Sequence, residues 1–256
     1  MKIALLLTAL VGALLGWHAL ARQTMASLPA ATFTVNSLND AVDLLPGDGV
    51  CDSSAQPNSQ CTLRAAVQET NALSGADTII LPAGIYTLTI PGVGENLAAT
   101  GDLDLNDDLT LTGAGAATTI IDGGALDRVL HLNTSGRTVQ VSGVTLRHGD
   151  GSLSGAGGAI MLQANTRLVL SDSVVSDSIS PAGGGIFALS TSHLTINRSA
   201  LERNITNASN GGGISASGMV TITASTIMSN TASGASGAGL DLGSAGQLLV
   251  QNSTFS

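Results

Sequence analysis

The chain has 256 residues and a formal net charge of −9 at pH 7, a balance that argues against nucleic acid or an anionic membrane surface as partner. Only 2% of its residues are aromatic. A core must therefore come from Leu, Ile, Val and Ala, and the aromatic platforms usual in oligosaccharide clefts are scarce.

Residues 1–21 have the layout of a secretory signal peptide. Met1-Lys2 is basic, Ile3 to Gly16 is apolar, and Ala19-Leu20-Ala21 is a small-x-small site with cleavage expected after Ala21. The apolar run is short for a bilayer span of roughly 20 residues, and no later segment is apolar and long enough to cross. Cleavage would leave 8 Arg against 18 Asp and Glu, a net charge of −10. The protein is therefore expected to be exported, secreted or held at the cell surface or outer membrane.

Residues 22–31 read as a leader and residues 32–76 as an N-terminal cap. In the cap, Thr32 to Val35 is a strand, and residues 36–61 form a polar loop carrying Cys51 and Cys61. In an exported chain this pair reads as a disulfide, worth about 2–3 kcal/mol for so short a loop on the chain-entropy argument. Metal binding there would need two further ligands, and no His lies nearby. Thr62 to Leu73 is the one helix expected outside the signal segment: Thr62 can cap it, Leu63, Ala66, Val67 and Thr70 share a face, and Gly75 can end it.

From residue 77 to residue 256 the pattern alternates at the strand period. Short apolar runs include Thr78–Leu81, Ile85–Ile90, Asp102–Leu105, Leu109–Leu111, Thr119–Ile121, Val129–Leu132 and Val139–Val141. A repeat then becomes regular. Leu168, Leu194, Val220 and Leu248 are separated by 26, 26 and 28 residues. A serine stands five places after each start (Ser173, Ser199, Ser225, Ser253), and an apolar residue seven after (Val175, Leu201, Ile227, Phe255). Gly-rich corners precede most of them, as at Gly183-Gly184-Gly185-Ile186 and Gly211-Gly212-Gly213-Ile214.

A fixed period of this size means a stacked-coil protein. Three short strands per coil, each parallel to its equivalent in the next coil, predict an all-β, right-handed parallel β-helix that lengthens by about 4.8 Å per coil. In the coil after Ile186 the inward residues are expected to be Ile186, Ala188, Leu194, Ile196 and Leu201. The helix and disulfide loop would cover the open edge and apolar end of the first coil. Ser256 falls in the third strand of a coil with no cover after it, which reads as a fragment of a longer protein.

Cys61-Thr-Leu63-Arg64-Ala-Ala-Val67, with Cys51 ten residues before and Asn71 and Asp77–Tyr86 after, resembles the CSLREA-type N-terminal region of bacterial exported β-helix proteins. The likeness runs from about Thr32 to Gly123. One departure is Ala65, where the motif carries a glutamate, so any pairing of that carboxylate with Arg64 or a backbone group is lost. The later coils are similar to the Gly-Gly-Ala-Ile repeats of polymorphic outer-membrane and autotransporter-type passengers. There an Asn recurs three places after an apolar residue: Asn204 and Asn230 match, and Ser178 does not. The resemblance implies a surface or secreted adhesion protein without catalysis, whose partner would be a protein or glycan.

The rival reading is a polysaccharide lyase or glycoside hydrolase of the pectin-lyase-like fold. A lyase of that type would need Ca²⁺ held by carboxylates near an Arg base. Asp102, Asp104, Asp107 and Asp108 form the best acidic group. Alternation places Asp102 and Asp104 on one outer face, roughly 7 Å apart, with Leu103 and Leu105 opposite. Loop carbonyls would have to complete a Ca²⁺ shell, and a solvated outer face is the simpler reading. Asp172 and Asp177 face no acidic stripe, because the equivalent positions one coil on are Arg198 and Arg203. His131, His148 and His193 show no ligand spacing, and His131, between Leu130 and Leu132, is expected to face outward. No Gly-x-Ser-x-Gly elbow is present. No catalytic residue and no cofactor is therefore assigned, calcium on Asp102 and Asp104 being the one candidate.

Overall fold

A computed structural model of the chain describes residues 30–53, 60–208, 210–233 and 237–256. The expected signal peptide, residues 1–21, lies outside these.

The described residues form a parallel β-solenoid. Three long ladders run along it, of eight, seven and six strands. The first contains Asp77–Leu81, Leu109–Gly113, Thr138–Ser142, Arg167–Ser171, His193–Asn197, Met219–Thr223 and Gln247–Gln251, and it begins at Thr32–Thr34. The repeat register is the pairing register: Leu168 lies beside Leu194, Leu194 beside Val220, and Val220 beside Leu248. The coil is not limited to three strands. A short fourth ladder joins Ile179–Ser180, Ile205–Thr206 and Thr231–Ala232, where the corner after the second ladder straightens.

Side chains at alternate positions stack into inward columns. Leu103, Leu130, Ile160, Ile186 and Ile214 form one, and Ile79, Leu111, Val141, Leu170, Ile196 and Ile222 another, all fully buried. The five inward residues expected for the coil after Ile186 are all in this core. Small branched aliphatics fill each rung without aromatics because identical shapes recur above and below them. In the last coil Leu248, Val250 and Phe255 are exposed.

Two polar ladders run inside the corners. Between the first and second ladders the chain turns through one left-handed residue, Asp172, Arg198, Ala224 or Asn252, with φ between 47° and 50°. The repeating serine follows. The backbone N–H of Ser173 donates to Oγ of Ser199 at 3.1 Å, and Ser199 N–H to Oγ of Ser225 at 3.1 Å. Each hydroxyl donates in turn to a carbonyl two residues back, as Ser199 does to Asn197 at 2.8 Å. At the next corner Asn204 and Asn230 stack in the same manner. Ser178 occupies the equivalent place one coil earlier, its N–H donating to Oδ1 of Asn204 at 3.2 Å, so the apparent break in the asparagine pattern is filled by a hydroxyl. The sequence periodicity is thus set by backbone groups that turn inward at corners and must be paired.

The helix is Leu63–Ala72, capped by Thr62, whose hydroxyl accepts the N–H of Ala65 at 3.1 Å. Leu63, Ala66 and Val67 join the same apolar core as the coils, so the helix closes the first coil. Cys51 and Cys61 form the expected disulfide.

Candidate functional site

The motif residues build a clamp. Arg64 is fully buried, and its guanidinium makes five hydrogen bonds. Nε and Nη2 hold the Asp40 carboxylate at 2.6 and 3.1 Å. The remaining donors reach the carbonyls of Ala98, Gly101 and Asp102 at 3.1, 2.8 and 3.3 Å. Asp40 Oδ2 also accepts the N–H groups of Thr89 and Ile90. Arg64 therefore finds its carboxylate at Asp40, although Ala65, itself wholly buried, stands where the motif has glutamate. Asn71 ties the helix to the first coil: its amide donates to Asp104 O at 2.7 Å, and its oxygen accepts Asn106 N–H at 2.8 Å. Leu63 packs in the core, and Cys61 donates its N–H to Asn36 Oδ1.

The clamp folds residues 89–102 over the outer face of the third ladder, and this overturns the expectation of a solvated acidic face. Leu103 and Leu105 do point inward, and Asp102 and Asp104 do point the other way, but both acids are buried, at 1% and 0% exposure. His131 lies beside Asp104 in register. It is likewise buried, although it points outward from its coil as alternation requires. Its Nδ1 is 2.9 Å from Asp104 Oδ1, and its Nε2 is 3.2 Å from the Gln163 amide nitrogen. With Nδ1–H donated to Asp104, Nε2 accepts from Gln163. Asp104 Oδ2 accepts the N–H of Ala98 at 3.0 Å.

Asp102 Oδ2 accepts Nε–H of Arg128 at 2.7 Å. Burial pushes the Asp102 carboxyl up to about 7; Arg128 opposes this, and the charges of Asp104 and Asp127 add to it. Asp127 is buried behind them. Its Oδ1 accepts the Arg128 N–H at 2.7 Å and the Ser154 hydroxyl, while Oδ2 has no hydrogen-bond partner. Asp102, Asp104 and His131 each bring one ligand-capable atom within 4.8 Å of the others. This is closer than the strand spacing of the two acids suggested, because the side chains lean together under the covering loop. Asp107 and Asp108 stay outside the cluster and pair with Arg137. Oxygen-only calcium coordination does not fit a set in which an imidazole takes one of three places.

The outer charges are paired across coils. Asp172 meets Arg198 at 2.6 Å and Asp177 meets Arg203 at 2.8 Å, so the alternation of sign along the repeat is itself the contact. Asp122 meets Arg147 at 2.8 Å and His148 Nδ1 at 3.0 Å. Two uncharged columns run along the outer face of the first ladder: Thr110, Gln140, Val169, Thr195, Thr221, and beside them Thr112, Ser142, Ser171, Asn197, Thr223. No described helix is long and apolar enough to cross a membrane. No protein-family model matches the chain, and the searches of curated proteins and of solved structures likewise return no match.

Proposed function

We propose that this protein is an exported β-helix scaffold for adhesion or interaction, without catalysis, which presents a largely uncharged outer face to a glycan or protein at the cell surface. The observation that carries this reading is the pair of columns on the first ladder, hydroxyl or amide at every place but Val169 and free of charged side chains from Thr110 to Thr223, with Arg167 and His193 in the outward column beside them. The columns form a grid of about 4.8 Å between coils and about 6.6 Å along each strand. Each such contact is weak, and repetition along a rigid rod adds them. The net negative charge favours a neutral partner over an acidic polymer. The disulfide and the signal-like residues 1–21 support export. The corner segments Asn207–Gly213 and Thr231–Gly239 flank this scaffold, although 209 and 234–236 lie outside the described residues.

The lyase or hydrolase alternative has one arrangement in its favour. His148 is half-exposed, with Nδ1 held on the Asp122 carboxylate and Arg147 alongside, a base beside a cation that could meet a uronate. One experiment separates the two. The full chain is applied to an array of neutral and acidic glycans and to uronate polymers, beside a Thr195→Glu/Thr221→Glu variant and a His148→Ala variant. Retention on neutral glycans, abolished by the paired glutamates and untouched by His148→Ala, is expected. Cleavage of a uronate polymer that His148→Ala removes would replace the scaffold reading with the enzymatic one.

A further inference from the structure

We propose that Asp102, Asp104 and His131 form a divalent-cation site of the zinc or manganese class, which fastens the N-terminal cap to the first two coils. The three residues come from separate parts of the fold: Asp102 and Asp104 close the loop that the cap clamps down, and His131 stands on the strand one coil further on. Their ligand-capable atoms already lie within 4.8 Å of one another. Bonds of about 2.0–2.2 Å to a single ion hold ligand atoms no more than about 4.4 Å apart, and an ion on Nδ1 would replace the present 2.9 Å hydrogen bond between His131 and Asp104.

A second observation points the same way. Asp127 is 1% exposed, and its Oδ2 is one of two buried side-chain atoms among the described residues with no hydrogen-bond partner. That oxygen faces the backbone immediately before Asp102: a Cβ built on Gly101 would lie 3.0 Å from it. The buried acids here are Asp40, Asp102, Asp104 and Asp127, and the buried cations facing them are Arg64 and Arg128. Acidic side chains outnumber basic ones four to two in this group. Buried carboxylates stay ionised only with compensation, and a divalent cation would let the acids in excess do so.

The donor set selects the ion. Two carboxylates with an imidazole suit zinc or manganese, whereas calcium takes six to eight oxygens. Outer contacts that would orient the ligands are in place: Arg128 on Asp102, the Ala98 N–H on Asp104 and Gln163 on the far nitrogen of His131. If the ion takes Nδ1, the Gln163 amide must turn to offer its oxygen to Nε2–H.

The test uses the full chain, stripped with chelator and then titrated separately with Zn²⁺, Mn²⁺ and Ca²⁺. One Zn²⁺ or Mn²⁺ per chain, with a raised thermal midpoint, is expected, and Ca²⁺ should give no comparable shift. His131→Gln and Asp104→Asn should weaken binding at least tenfold, while Asp172→Asn on the outer surface should leave it unchanged. Because the buried variants could disturb folding, Co²⁺ added to the unaltered chain gives an independent readout: intense visible d–d bands of a low-coordinate nitrogen and oxygen site are expected. Absence of stoichiometric Zn²⁺ or Mn²⁺ binding to the folded chain would overturn the proposal and leave a hydrogen-bonded lock alone. Binding that survives both variants, or a preference for Ca²⁺, would overturn it too.

Discussion

Nε of Arg128 lies 2.7 Å from Oδ2 of Asp102, and both side chains are almost wholly out of solvent. Burial still dominates over this pairing, with Asp104 and Asp127 adding repulsion, and the Asp102 carboxyl is raised from 3.8 to about 7. The sign follows directly. A carboxyl raised on folding binds its proton more tightly in the native state than in the unfolded chain. Its contribution is complete below the unfolded value near 3.8 and is lost as pH rises through about 7. In chelated protein the stability should therefore fall between about pH 4 and pH 7, by an amount on the order of a few kcal/mol, read from unfolding midpoints. Asp102→Asn should flatten that slope. Parallel pH profiles for the two proteins would show that Asp102 is ionised throughout the range.

Asp122 behaves in the opposite way. Burial works against its ionised form, but the Gly124 N–H, Arg147 and His148 together outweigh burial and hold the carboxyl below its ordinary value. Its contribution is present above pH 3.8 and is lost as pH falls through the lowered value. Asp122→Asn should remove part of the acid-side loss of stability below about pH 4, read from unfolding midpoints between pH 2 and pH 5. An unchanged acid limb would assign that loss to other carboxylates.

The Asp40–Arg64 pair is fully enclosed. Removing one partner leaves a buried charge alone, so Asp40→Ala should destabilise by about 3–5 kcal/mol, and Arg64→Ala by a similar amount. The double variant should cost less than the sum of the two. Denaturant midpoints for the three variants give the coupling directly, and simple additivity would contradict the clamp.

Asn204 donates its amide to Val175 O at 3.0 Å and accepts Ser178 N–H at 3.2 Å, in a site with no solvent access. Asn204→Ala should cost at least about 2 kcal/mol, because each stranded buried group costs about 1–3 kcal/mol. Asn204→Ser should recover part of this, since Ser178 fills the equivalent place one coil away. Equal loss in the alanine and serine variants would show that volume rather than hydrogen bonding holds the corner. Because Asn204 is wholly buried, its Asn-Ile-Thr sequon should stay unmodified in a glycosylating host, which mass spectrometry would check.

Breaking the Cys51–Cys61 bond by Cys61→Ser should lower stability by about 2–3 kcal/mol on the chain-entropy argument. Equal unfolding midpoints for the oxidised parent and the variant would show that the clamp alone orders the cap.

Much of the fold was legible because a solenoid writes its contacts into sequence distance. Leu168 and Leu194 are 26 residues apart and also adjacent, so the repeat length is the pairing register. The serine and asparagine positions were visible for the same reason, although their role was not: which backbone N–H a corner hydroxyl accepts depends on how the turn faces inward. Alternation puts Asp102, Asp104 and His131 on the outer side of their strands, and it fixes only the side of a strand, not what lies over it. The covering segment, residues 89–102, is held by Arg64 and Asp40 through contacts 34 to 50 residues long, with no period to reveal them.

The sequence by itself therefore determined the coil: its period, its inward columns, its polar corners, the capping helix and the disulfide, each a consequence of local spacing repeated along the chain. Only the tertiary structure decided the environment of the acids. Burial and the pairing of charge depend on elements distant in sequence coming together, and a buried carboxylate has the same letter as a solvated one. The folding of one aperiodic loop over one ladder face gathered Asp102, Asp104, Asp127, Arg128 and His131 into a single enclosed cluster.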